Sequence, residues 1–328
     1  MRAWRVWAAA AVVGVVVGLP VAAISSPSYP VPWTFAAAVP AGAVNGPDVA
    51  PPGSNVACRP SAAHPEPVVL VHGLFADQSD NWQTISPFLA DNGYCVYSLT
   101  YGNDASKPVP FDRFGGLSDM EASAGQLAAF VDKVLSETGA AKVDIVGHSE
   151  GGTMPDYYLK FLGGSADVDH FVALSGVMHG TDFWGLSSLE SLGTAYGYSQ
   201  QFSAGVAQFC ASCLEFLTSS SFIHSLDAPT AGSCPYDGAA VDGVRYTSIA
   251  TDNDELVRPP TSDFIDSRCN GVAGIGVDDI LVQKQCPLDQ ADHLSIAADP
   301  VVGQDILNAL QPGRDGPVPC VAVLPAVG

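Results

Sequence analysis

Apolar residues along this chain fall in short runs that switch between two periods. Pro67-Val-Val-Leu-Val71 is an unbroken apolar run closed by His72-Gly73, as expected of a strand buried on both faces. From Trp82 to Asn92 the positions Trp82, Ile85, Phe88 and Leu89 keep helical spacing, and Gly93 ends the run. Tyr94 to Leu99 alternates and is rich in β-forming residues. Ser118 to Thr138 repeats Leu127, Phe130, Val131, Val134 and Leu135 at helical intervals and stops at Gly139. Val143–Val146 reads as a third strand, Met154–Leu162 as the helix after it, and Val168–Leu174 as a fourth strand. Such alternation predicts right-handed βαβ crossovers and an α/β fold, a mainly parallel sheet flanked by helices.

The pattern loosens between residues 177 and 240, which are rich in Gly, Ser and apolar side chains and hold no clean strand. This reads as an irregular insertion, of the kind that forms a lid, ahead of the next strand. Order returns with strands at Val244–Ala250 and Asp279–Gln283 and a final helix at Pro300–Leu310. Residues 24–66, rich in Pro, Gly, Ala and Asn, read as an extended lead-in. The predicted organisation is a signal at 1–23, this lead-in, one α/β domain at 67–312 carrying the insertion, and a tail at 313–328.

The first residues have the three parts of an export signal. Arg2 and Arg5 precede the apolar run Val6–Leu19, Pro20 breaks it, and Val21-Ala22-Ala23 supplies a small-residue cleavage site. Cleavage after Ala23 and a secreted or cell-envelope location are expected; an uncleaved anchor helix is the alternative, disfavoured by Gly14, Gly18 and Pro20. Acidic residues outnumber Lys and Arg by 34 to 13, a formal charge of -21, which repels phosphate backbones and excludes nucleic acid as a partner. Eight Cys in an exported chain predict disulfides. Cys58 and Cys95 flank the first strand and helix, and Cys269 and Cys286 bracket a loop. Cys210 and Cys213 form a CxxC with no second CxxC or His pair, which reads as a structural disulfide. No EF-hand or HExxH spacing occurs, so neither a metal nor a cofactor is expected.

Gly147-His148-Ser149-Glu150-Gly151 lies between a predicted strand and a predicted helix. A sharp turn there lifts Ser149 clear of the sheet and demands small residues two positions away on either side, which Gly147 and Gly151 supply. A hydroxyl needs a base. His293 follows the last strand and precedes the last helix, where it overhangs the carboxyl edge of the sheet. The imidazole in turn needs a carboxylate. Thr251–Glu255, after the strand ending at Ala250, offers Asp254 first and Asp252 second, while Asp292 reads as a solvated neighbour or loop cap. The order Ser149, Asp254, His293 suits nucleophile, acid and base. Two backbone N–H groups, those of Glu150 and Leu74, are the expected oxyanion donors.

Val69-Leu-Val-His-Gly73, Gly147–Gly151, the Thr251–Glu255 loop and Asp292-His293 together resemble the exported lipases and esterases of the actinobacterial and bacillar α/β-hydrolase type. The resemblance runs from about Cys58 to Leu310. It implies a serine hydrolase acting on carboxylic esters without a cofactor, on a lipid or small ester substrate, with a lipid interface as a further partner. Glu150 departs from the Gln or apolar residue common in such enzymes, and its charge is expected to weaken the oxyanion site or shift its pH range. Phe75 and His148 beside the two motif turns, and Phe183 and Trp184 in the insertion, are the candidate substrate contacts. An acyltransferase would use the same triad, and a silent cell-envelope binding protein would use the same scaffold. Oligomeric state stays open.

Overall fold

The strands pair in the order β2-β1-β3-β4-β5-β6, every pairing parallel. They are β1 (Val68–Val71), β2 (Val96–Leu99), β3 (Val143–His148), β4 (Val168–Leu174), β5 (Arg245–Ala250) and β6 (Gly276–Leu281). This computed structural model describes residues 28–108, 112–182, 204–311, 313 and 316–326. The chain runs outward from β1 to β2, then returns to place β3 on the other side of β1. That reversal opens a crevice beyond the carboxyl ends of β1 and β3, where open α/β sheets bind ligands.

Both faces of the sheet are covered at its centre, which is why β1 is an unbroken, fully buried apolar run. One face sends Val69, Val71, Ile145 and Phe171 against α3 (Met120–Thr138) and α4 (Met154–Phe161). The other packs Val68, Leu70, Val146 and Val172 with Ile85 and Leu89 of α2 (Ile85–Asp91) and Val302 and Ile306 of α6 (Pro300–Leu310). Within α3, Leu127, Val131 and Val134 are fully buried at positions four and three apart. Asp119 caps that helix by accepting from the Ala122 N–H, and Gly139, at φ 74°, ends it in the left-handed conformation.

Three elements depart from the sequence reading. The helix predicted to start at Trp82 is broken there: a short turn, Gln78–Asn81, is held by the Asp77 and Asp80 capping box, and α2 begins three residues later. The last strand lies at Gly276–Leu281 rather than Asp279–Gln283, because Val282–Gln285 turns into a helical segment. The lead-in is not wholly extended. Thr34 caps a helical turn at Phe35–Ala37, which continues as α1 (Ala38–Val44).

The described part of the insertion contains α5 (Ser221–Asp227) and short turns. Disulfides join Cys58 to Cys95, Cys210 to Cys213, Cys234 to Cys269, and Cys286 to Cys320. Cys269 and Cys286, which bracket a loop in sequence, therefore have separate partners. Among the described residues no helix is long and apolar enough to cross a membrane. The segment read as an export signal lies outside the described residues.

Candidate active site

β3 ends at His148 and the chain turns at once into Ser149–Gly152. Ser149 has φ 56°, a left-handed conformation that costs a non-glycine residue energy and is held by its surroundings. A Cβ on Gly147 would sit 1.7 Å from the Gly151 carbonyl oxygen, and one on Gly151 would sit 1.9 Å from that of Val71. Only glycine fits either position.

The turn brings together three residues far apart in sequence. Ser149 Oγ lies 2.8 Å from His293 Nε2, and His293 Nδ1 lies 2.8 Å from Asp254 Oδ2. Asp254 and His293 are buried. Burial pushes the Asp254 carboxyl up, but the facing His293 ring and the Val257 N–H outweigh it and hold its pKa below the ordinary value. Its Oδ1 also accepts from the Leu256 and Val257 N–H groups at 2.9 and 2.8 Å, which fixes the carboxylate. A hydroxyl facing an imidazole that is braced by a carboxylate is the arrangement that activates an oxygen nucleophile. Asp252, the second choice, is exposed, and it is Asp254 that the His293 Nδ1 faces. Asp292 caps the loop that carries His293, its Oδ1 accepting from the Ser295 N–H at 2.9 Å.

Residues 65–277 match the lipase (class 2) family. The chain belongs to that family. A triacylglycerol lipase of Burkholderia plantarii is 36% identical over 132 residues, 39% of this chain and 34% of that protein. One from Pseudarthrobacter phenanthrenivorans is 38% identical over 101 residues, 29% of this chain and 28% of that protein. The matched part thus spans about a third of the length of these relatives. The crystal structure of Aspergillus fumigatus lipase B superposes with a TM-score of 0.52 at 19% identity, covering 82% of this chain and 61% of that one. The predicted α/β-hydrolase architecture is the observed one.

In this class 2 lipase-family chain, the loop after β1 faces the Ser149 turn. Phe75, with φ 61°, donates its N–H to the Gly115 carbonyl at 3.1 Å, whereas the Leu74 N–H has no acceptor among the described residues. Leu74 and Phe75 both line the small pocket over Ser149 and His293. Asn81, which the sequence reading passed over, fixes this loop: its Oδ1 accepts from the Gly73 N–H at 3.0 Å. His72 is buried and stacked on Tyr101, which keeps its ring neutral, with a pKa near 4.

His148 occupies a different place from the one expected. It borders the pocket but is 3% exposed, with Nε2 2.8 Å from the His293 carbonyl oxygen and Nδ1 3.1 Å from Asn81 Oδ1. Both ring nitrogens are thus directed at protein rather than at a substrate. Phe183 and Trp184, the other two expected contacts, lie outside the described residues.

The expectation for Glu150 changes too. Its side chain is fully buried among Tyr101, Ser212 and Glu215. Burial first, and the charge of Glu215 second, push its pKa well above the ordinary carboxyl value.

From Ser149 a groove runs outward along Phe35, Leu74, Phe75 and Leu294 and widens to about 460 Å³ between Ala38 and Phe114. Phe35 comes from the lead-in. Its place between Trp33 and Ala36–Ala38 gives no sequence signal of this role. On the other side of Ser149, Val177, Phe216, Leu256 and Val257 form a narrow apolar slot.

Proposed function

We propose that the protein hydrolyses carboxylic esters through an acyl-enzyme on Ser149, acting on lipid esters. His293 takes the Ser149 proton as the hydroxyl attacks the ester carbonyl, and returns it to the departing alcohol. Water then attacks the acyl-enzyme with the same base, freeing the acid and restoring Ser149. Asp254 holds the His293 ring and stabilises its charged form. The N–H groups of Leu74 and Glu150 receive the oxyanion. The observation that carries this reading is the continuous Ser149–His293–Asp254 relay, with two contacts of 2.8 Å.

Membership of the lipase (class 2) family and likeness to triacylglycerol lipases support a lipid ester as substrate. The apolar groove past Phe35 and Phe75 suits an acyl chain, with Phe75 as a direct contact. The reading further assigns residues 1–23 to a cleaved export signal and 67–312 to the hydrolase domain, with 177–240 as its insertion. The four disulfides are compatible with an oxidising compartment. The test is hydrolysis of p-nitrophenyl esters of increasing chain length by wild type and Ser149→Ala. Loss of turnover in the variant, with wild type active on long chains, is expected; equal activity in both would overturn the assignment.

A further inference from the structure

His293 sits on an irregular loop, residues 289–294, and not within a strand or helix. Two sides of that loop are held by neighbouring parts of the site. His148 Nε2 faces the His293 carbonyl oxygen, Thr251 Oγ1 donates to the Ala291 carbonyl at 2.5 Å, and the His293 N–H donates to Glu255 Oε2 at 3.3 Å.

A third side is held by a segment from far along the chain, residues 318–326. Its own anchors are Val318, packed beside the cluster that holds Val68 and Val146, the buried Val323, and Cys320, disulfide-bonded to Cys286 just ahead of the loop. Two of its backbone groups then reach the loop. The Val323 carbonyl accepts from the Gln290 N–H at 3.1 Å. Ala326 takes φ 58°, a left-handed conformation uncommon for a residue with a Cβ, and donates its N–H to Asp292 Oδ2 at 2.5 Å.

Asp292 is the joint between the two. Its side chain is buried, the residue being 8% exposed. Oδ1 accepts from the Leu294 N–H at 3.2 Å, the Ser295 N–H at 2.9 Å and the Ser295 hydroxyl at 2.7 Å. One carboxyl thus meets four donors, three from the turn just after His293 and one from Ala326.

We propose that segment 318–326 is a strap that positions the base, acting through Asp292, which is a positioning residue for the same reaction. The proposal rests on the reading of His293 as the base that takes the Ser149 proton. That ring must keep Nε2 on Ser149 and Nδ1 on Asp254 while it gains and loses a proton, and both contacts are 2.8 Å long. A loop has no regular hydrogen-bond ladder to hold its main chain, so side chains and neighbouring backbone supply the restraint. Small displacements of a reacting group cost rate steeply, whereas ground-state binding in the groove is untouched by them. Neither Asp292 nor Ala326 lines the pocket over Ser149 or the groove beyond it. Their contribution therefore falls on kcat and not on KM.

The test compares full-length wild type with Asp292→Asn, Asp292→Ala, Ala326→Pro and Ala326→Gly on p-nitrophenyl butyrate, measuring kcat, KM and Tm. An Asn amide keeps its oxygen for Leu294 and Ser295 but turns an NH2 toward the Ala326 N–H, so it severs the strap alone. Proline at 326 has no N–H to give and cannot adopt φ 58°. Both should lower kcat by roughly 3- to 10-fold with KM within about twofold, and Asp292→Ala, which loses the turn as well, by roughly 10- to 100-fold. Ala326→Gly keeps the N–H and reaches the left-handed conformation freely, so it should recover most of the rate that Ala326→Pro loses. Unchanged kcat in folded Asp292→Asn and Ala326→Pro, or a raised KM at constant kcat, would overturn the proposal. Ala326→Pro alters only the strap, so the comparison with Ala326→Gly stands even where an Asp292 variant fails to fold. Undiminished turnover by His293→Ala would instead overturn the assignment of the base, which keeps the two failures apart.

Discussion

His148 Nε2 stands 2.8 Å from the backbone carbonyl oxygen of His293, so the residue before the serine holds the main chain of the residue proposed as its base. Burial first and the His293 ring second depress the His148 pKa to about 3, and the ring stays neutral. A neutral ring has one proton for the acceptors at its two nitrogens, and the shorter contact is to the carbonyl. His148 is therefore a positioning residue. His148→Phe should lower kcat by roughly 3- to 10-fold, the worth of one hydrogen bond, with KM nearly unchanged. His148→Gln should recover part of the loss. A raised KM at constant kcat would return His148 to the substrate-binding role.

Asp254→Asn keeps the shape of the acid but not its charge. A kcat loss of about 10⁴-fold is expected, while Asp252→Asn, on an exposed side chain, should leave activity within twofold or so. Comparable losses in both would mean the relay passes through the wrong carboxylate.

Glu150 gives a prediction about pH and stability. Its folded pKa lies well above the value of 4.5 that it has when solvated. Its contribution is therefore full below about pH 4.5, where both states hold the proton, and is lost progressively as pH rises toward the folded pKa. Glu150→Gln mimics the neutral acid, so its activity should stay within about threefold of wild type. Its Tm should gain on that of wild type as pH rises from 5 to 9. A constant Tm difference across that range would show that the carboxyl is ionised in the fold.

The strand–helix alternation and the Gly147–Gly151 turn were legible because each rests on local physics: strands buried on both faces must be apolar runs, and the turn admits only glycine where it does. Asp254 was legible for a different reason, since chain order and the end of β5 left few acids to choose from. Asn81, Phe35 and the raised pKa of Glu150 were not legible. Each depends on what the fold packs beside it: the Gly73 N–H, the open groove, and the acid of Glu215 across a buried contact. The helix start at Trp82 failed because the Asp77–Asp80 capping box closes a separate turn first.

Phe35 should matter in proportion to acyl length. Phe35→Ala removes an aromatic wall of the groove and is expected to cut kcat/KM on a p-nitrophenyl palmitate by roughly tenfold, with little change on the acetate. An equal fall on both esters would mean that Phe35 supports the fold rather than the acyl chain.

Reaction with a fluorophosphonate or p-nitrophenyl phosphonate, followed by peptide mass spectrometry, tests the central claim most directly. The account predicts a single adduct on Ser149, formed with loss of esterase activity and slowed at least about 10³-fold by His293→Ala. An adduct on another serine, or full inhibition with Ser149 unmodified, would contradict it.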